Sequence, residues 1–164
     1  MNRRHLFTGA AALATGALFA APAAAQSLDA ASQASFDTVM AFMGAMGGGD
    51  QKAMAALMAA DMEWRNEGDP AMPWIGTWKG KEAIFGFLES FSQNVQVTHW
   101  QNQDAFASGD TVAVFGRMKL KMTGSGRETD VFTFALRANA RDGKVVLWNW
   151  FEDAYAVSRA FHGA

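Results

Sequence analysis

Glu152 stands two residues beyond Trp150 and four beyond Trp148, so on an extended strand the three side chains share one face. A carboxylate among large aromatic rings is a candidate acid or base, because poor solvation raises its pKa toward the range useful for proton transfer. Asp153 points to the opposite side and serves to cap or pin the terminal segment. The six tryptophans Trp64, Trp74, Trp78, Trp100, Trp148 and Trp150 all lie after residue 26. Indoles combine wide apolar contact with one N–H donor, which suits the wall of a pocket for a small hydrophobic ligand or the filling of a small core. Ten methionines also favour an adaptable apolar interior. Other chemistries are poorly served. There is no cysteine, hence no thiolate nucleophile, thiolate zinc site or disulfide framework. His99 and His162 lie far apart with no helical or alternating partner, so no metal site is expected. Neither a nucleophile elbow nor a phosphate-cradling glycine loop is present, and no cofactor is implied.

The chain carries 14 Lys+Arg against 16 Asp+Glu, a formal charge of −2, which is unsuited to neutralising the phosphates of nucleic acid. Arg3-Arg4, the Ala/Gly-rich apolar run Leu6 to Ala20 and the small residues Ala23-Ala24-Ala25 read as a cleaved export signal over residues 1–25. The run is too short to span a bilayer, which takes about 20 apolar residues. Arg3-Arg4 followed by His5-Leu6-Phe7 resembles the bacterial twin-arginine signal, although Asn2 stands where Ser or Thr is usual; an ordinary secretory signal is the alternative. Either route makes the protein periplasmic or secreted. The remaining 139 residues, with 12 basic against 16 acidic side chains, form one domain, 26–164, with no repeat, linker or membrane span.

Phe36, Val39, Met40, Met43 and Met46 recur at three- and four-residue steps, which predicts a helix from about Ser32 to Met46, stopped by Gly47-Gly48-Gly49. Asp50 caps a second helix with Met54, Leu57 and Met58 as its buried stripe. Met62 to Asn66 is a short strand, Glu67 to Lys79 a loop, and Lys81 to Phe91 a third helix. The period then changes to two. Val95 to Gln103, Thr111 to Met122, Thr129 to Leu136 and Lys144 to Phe151 read as four strands. Helices first and an antiparallel run afterwards is an α+β pattern. The last strand is apolar on both sides, with Val146, Trp148 and Trp150 on one and Val145, Leu147 and Phe151 on the other. The second side needs cover from a partner subunit or the terminal segment, and a homodimer through the outer sheet face is the expectation.

Gly49-Asp50 between two short helices, Ala60-Asp61 and Glu63-Trp64 entering a strand, Gly76-Thr77-Trp78-Lys79-Gly80 before helix residues Ala83-Ile84, and Asp142-Gly143-Lys144-Val145 opening a strand that ends near Asp153 form an ordered set. Together they resemble the nuclear transport factor 2-like superfamily, in its branch of SnoaL-like proteins and ketosteroid isomerases. The resemblance covers essentially all of 26–164. It implies a cone: a strongly curved antiparallel sheet wrapped around three N-terminal helices, with an apolar pocket in its mouth. Its members include isomerases, cyclases, dehydratases, epoxide hydrolases and non-catalytic binding modules, so fold does not decide function.

Ketosteroid isomerases use a carboxylate base with a Tyr and a protonated Asp that bind the dienolate oxygen. By resemblance the Tyr falls eight residues before Asp50, at Phe42, and the base sixteen after it, at Asn66; neither can play the part. The third group falls on Ala135 by count or on Asp130 by local likeness. Ketosteroid isomerisation by that arrangement is therefore not expected. Glu67, next to Asn66, either turns into the cone after a one-residue register change or is a solvated loop residue. Arg117 with Asp130 are the only pieces that could match a water-activating epoxide hydrolase set, but Arg117 shares parity with Lys119 and Lys121, which favours the outer face. The resemblance implies Glu67, Glu152 and Asp130 as candidate catalytic carboxylates, and Phe42, Trp64, Asn66, Trp148 and Trp150 as candidate pocket residues. An acid–base enzyme acting on a small hydrophobic molecule and a binding or accessory domain without catalysis both remain open.

Overall fold

The computed structural model describes residues 28–164, so the export segment expected at 1–25 lies outside the described residues. The Asp29 carboxylate accepts the Ser32 N–H at 2.7 Å and caps α1 (Ala30–Gly47). Ser32, Ser35, Val39, Phe42 and Met43 form its buried stripe. The two serines are satisfied: Ser32 Oγ accepts the Gly109 N–H at 2.9 Å and Ser35 Oγ donates to the Ala140 carbonyl at 3.4 Å. Asp50 accepts the Ala53 N–H at 2.9 Å and caps α2 (Gln51–Leu57). Met58, expected in the stripe of this helix, instead begins β1 (Met58–Asn66).

β1 turns into β2 (Gly76–Lys79), where Trp78 lies opposite Trp64. The loop expected over Glu67 to Lys79 therefore ends in an edge strand, too short for its alternation to be read. α3 (Lys81–Asn94) buries Ile84 and Phe87. The chain continues through β3 (Val95–Ser108), β4 (Thr111–Met122), β5 (Phe132–Arg141) and β6 (Lys144–Phe151), and ends in α4 (Ala154–His162). Asp153 does cap this last helix, accepting the Ala156 N–H at 2.9 Å. The architecture is α+β, as expected, with an open six-stranded sheet in the order β2-β1-β6-β5-β4-β3. The sheet is mixed rather than wholly antiparallel, because β1 and β6 pair in parallel. α3 carries the chain to the far edge, and three hairpin reversals bring β6 back beside β1 in the same direction. Among the described residues no helix is long and apolar enough to cross a membrane.

β5 starts later than expected and runs further. Thr129 is held against the end of β4 by two bonds with Leu120, one through its hydroxyl, so the chain joins the ladder only at Phe132. At the other end Asp142 (φ 52) and Gly143 (φ 67) are both left-handed, the two-residue hairpin turn that suits the twist of a strand pair. β6 is then bulged: Val145 pairs with Ala140 and Leu147 with Asn139, leaving Val146 unmatched. Val145, expected on the outer side, is thereby turned into the core with Trp148 and Trp150.

Candidate active site

The inner face of the sheet is built from cross-strand rows. Asn66, Trp150, Leu136 and Val114 form one, and Trp64, Trp148, Ala138 and Val112 the next. A cleft of about 1140 Å³ opens between this face and helices α1 to α3. Trp64, Asn66, Trp100, Trp148, Trp150 and Glu152 line it from the sheet; Met43, Met46, Met54, Phe87 and Phe91 line it from the helices.

Three strands use the same device. The Trp64 indole N–H donates to Asn66 Oδ1 at 2.9 Å, Trp100 to Asn102 Oδ1 at 3.0 Å, and Trp150 to Glu152 Oε2 at 3.1 Å. Residues two apart on a strand share a face, so a Trp-x-Asn or Trp-x-Glu spacing lets each indole be held by its own strand. This pattern was visible in the sequence and would have added Trp100 to the site. Trp148 is fully buried at the base of the lining, stacked on Trp64 at 5.2 Å and packed on Phe42 at 5.0 Å. Its N–H has no partner among the described residues.

The far wall is a stack of rings, Phe134 lying 4.5 Å from Trp100 and 4.7 Å from Trp150 between centroids. Gly116 makes room for it. A Cβ there would stand 2.3 Å from the Gln101 carbonyl oxygen and 2.4 Å from Phe134 Cζ, so only glycine lets the ring lie across the strand.

Glu152 is partly buried in the lining of the cleft. Burial pushes its carboxyl above the ordinary glutamate range; the Trp150 hydrogen bond opposes this, and the neighbouring Asp153 charge adds to it. The other carboxylates proposed from the sequence stand elsewhere. Glu67 is exposed and outside the cleft lining, because Asn66 keeps its register between Gly76 and Trp150 and thereby turns Glu67 away. Asp130 is exposed before β5, beside Tyr155 and Arg159 of α4, and Ala135 lies opposite Phe151 and Phe115 on the outer face. Phe42 is core and backs the wall without lining it. Asn66 is buried in the lining, its Nδ2 donating to the Trp74 carbonyl at 3.4 Å. Arg117 is on the outer face, donating to the Val131 carbonyl at 3.3 Å.

A second cluster superficially resembles a hydrolytic triad. Asp69 Oδ2 accepts the Ser158 hydroxyl at 2.6 Å and lies 2.9 Å from His162 Nε2. Both groups contact the carboxylate, and the serine proton is directed away from the imidazole, so no base activates this hydroxyl. The cluster is a clip that fastens α4 to the β1–β2 connection. Ser158, the Ala71 N–H and His162 hold the Asp69 carboxyl down at about 2. Among the described residues no three His, Asp or Glu side chains converge as metal ligands.

Solved structures share this fold. An NTF2-like protein of Burkholderia xenovorans is 28% identical, with a TM-score of 0.73, covering 79% of this chain and 97% of its own. TerC, crystallised with polyporic acid, is 21% identical with a TM-score of 0.69, covering 79% and 98%. An LEH-like epoxide hydrolase of M. tuberculosis is 17% identical with a TM-score of 0.60, covering 80% and 91%. The latter two likenesses speak to the fold alone. No match was found among curated proteins. The SnoaL-like domain family matches residues 39–148, from within α1 into β6, which is more than half of the chain. The chain belongs to the SnoaL-like domain family.

Proposed function

We propose that the protein takes a small, largely apolar molecule into the cleft and that Glu152 acts on it by proton transfer of the isomerase type. The observation that carries this is a partly buried carboxylate with a raised pKa in a cleft walled by tryptophan. The carboxylate would remove a proton from an activated carbon, and the freed electron pair would move into the conjugated system of the ligand. The acid so formed would return the proton at a second carbon, regenerating the carboxylate. The similarity in fold to an epoxide hydrolase and to a protein crystallised with a small molecule supports this reading. Glu152→Gln should abolish turnover of a panel of cyclic ketones, lactones and epoxides while leaving affinity nearly unchanged. Unchanged turnover would remove Glu152 from the chemistry.

Binding without turnover is a second reading. Trp64, Trp100 and Trp150 already donate within the protein, and Phe42 has no donor, so a developing oxyanion would find few free N–H groups. On this reading the wild type converts no member of the panel.

Two further proposals concern context. Arg3-Arg4 and the apolar run after them support export, with the protein periplasmic or secreted; Arg3→Lys with Arg4→Lys should block a twin-arginine route, and unaffected export would mean the ordinary one. The outer sheet face carries Phe106 (62% exposed), Phe115 (39%) and Phe151 (42%), which supports a homodimer through that face. Phe115→Glu should convert a sedimenting dimer to monomer; a monomeric wild type at micromolar concentration would overturn the dimer.

A further inference from the structure

We infer that the ligand of this cleft carries a positive charge on an apolar frame, as a protonated amine or a quaternary ammonium does. The inference rests on the cleft being the binding site and narrows what enters it.

The ionisable residues lining the cleft are Glu82, Glu89 and Glu152, and among the described residues of the lining there is no Lys, Arg or His. Glu82 and Glu89 are seven apart on α3, two turns on one face, and both are exposed at the rim. Lys81, the nearest base in sequence, is turned away and donates to the Ala55 carbonyl at 2.7 Å. Glu152 lies further in. Its Oε2 accepts the Trp150 indole, while Oε1 has no hydrogen-bond partner among the described residues.

The walls favour the same sign of charge. Trp64, Trp100, Trp150 and Phe87 line the cleft, and aromatic faces carry partial negative charge that attracts ammonium groups. Packing of Phe87 against Trp64, of Trp64 on Trp148, and of Trp100 and Trp150 on Phe134 fixes these rings before a ligand arrives, so little ordering is left to oppose binding. A carboxylate or phosphate would meet three acidic groups and no counter-charge. A neutral molecule would gain apolar burial but leave the inner carboxylate uncompensated as it loses water. A cation gains burial, ring contact and a charge-assisted hydrogen bond together, and the rim glutamates favour its approach.

The test compares three probes with one ring system: 2-naphthylmethylamine, 2-naphthylmethanol and 2-naphthoate, titrated calorimetrically into the protein at neutral pH. The amine should bind about tenfold more tightly than the alcohol, the carboxylate should bind weakest, and added salt should narrow the spread. Glu152→Gln should lower affinity for the amine about tenfold and leave that for the alcohol unchanged, since glutamine can still accept the Trp150 N–H. Equal affinities for amine and alcohol would overturn the charge preference and leave the binding site standing. Tightest binding by the carboxylate would likewise overturn it. Failure of all three to bind would overturn both this inference and the reading of the cleft as a binding site.

Discussion

Adding one methyl group at two glycines should move stability in opposite directions. Gly86 lies in the middle of α3, and a Cβ there would meet no atom within 4 Å. Gly86→Ala therefore gains helix propensity alone, about 1 kcal/mol. Gly116 lies in β4 beneath the Phe134 ring, and its Cβ would stand 2.3 Å from a main-chain oxygen. A flexible side chain can yield to such a contact, whereas β3 must shift as a strand. Gly116→Ala should cost about 3 kcal/mol, the upper part of the range for overpacked cores. The same methyl would push Phe134 off Trp100 and Trp150, so the cleft loses its far wall as well. Urea unfolding followed by tryptophan fluorescence reads both effects, with equal slopes showing that the unfolded reference is unchanged. Adding Phe134→Leu to Gly116→Ala should recover only part of the loss, because the Gln101 carbonyl remains in the way. A Gly116→Ala protein as stable as wild type would mean that the ring does not lie across the strand and that the far wall is described wrongly.

Three other outcomes follow from the same packing. Asp69 has its pKa lowered to about 2, below the ordinary aspartate value, so its contribution to stability is complete above about pH 4 and lost as pH falls toward 2. Asp69→Asn should flatten that part of the acid-unfolding curve and speed hydrogen exchange in α4; an unchanged curve would remove the clip. Trp148→Ala should cost about 3–5 kcal/mol, because the ring is fully buried against Trp64 and Phe42, and it will report on folding more than on binding. Trp100, 37% exposed on the edge strand, is the better probe of the wall: Trp100→Ala should cost about 1 kcal/mol of stability and weaken probe binding several-fold. Equal stability losses at the two positions would contradict their assigned layers.

What the sequence made legible was local. The Asp50 cap and the Asp142-Gly143 turn are set by neighbours a few residues away, and both are found in the structure; of the expected α1 stripe Val39 and Met43 are buried, while Phe36, Met40 and Met46 are only partly so and Phe42 is buried instead. The shared face of Trp148, Trp150 and Glu152 was also readable, because the β6 bulge lies before Trp148 and leaves their alternation intact. The same bulge reversed Val145, which no reading of alternation could foresee. β2 has four residues, α4 follows directly on Asp153, and the parallel pairing of β1 with β6 depends on where α3 delivers the chain. Each of these is fixed by tertiary contact. Glu67 was a candidate only if β1 slipped by one residue, and Asn66, tied to Trp64 and paired with Gly76 and Trp150, prevents the slip. Trp100 is singled out from the six tryptophans only by the structure, for the opposite reason. Its spacing from Asn102 was in plain view, but it gains meaning only when Phe134 and Trp150 come to lie beside it.

The most direct test of the central claim is an NMR titration that follows the six indole N–H signals as 2-naphthylmethylamine or 2-naphthylmethanol is added. If the cleft is the binding site, the Trp64, Trp100 and Trp150 signals should move together with a single affinity. Trp74, buried between Phe91 and Phe161 outside the lining, should stay still. Shifts confined to Trp74 or to amides of the outer sheet face, with the three wall indoles unmoved, would contradict the account.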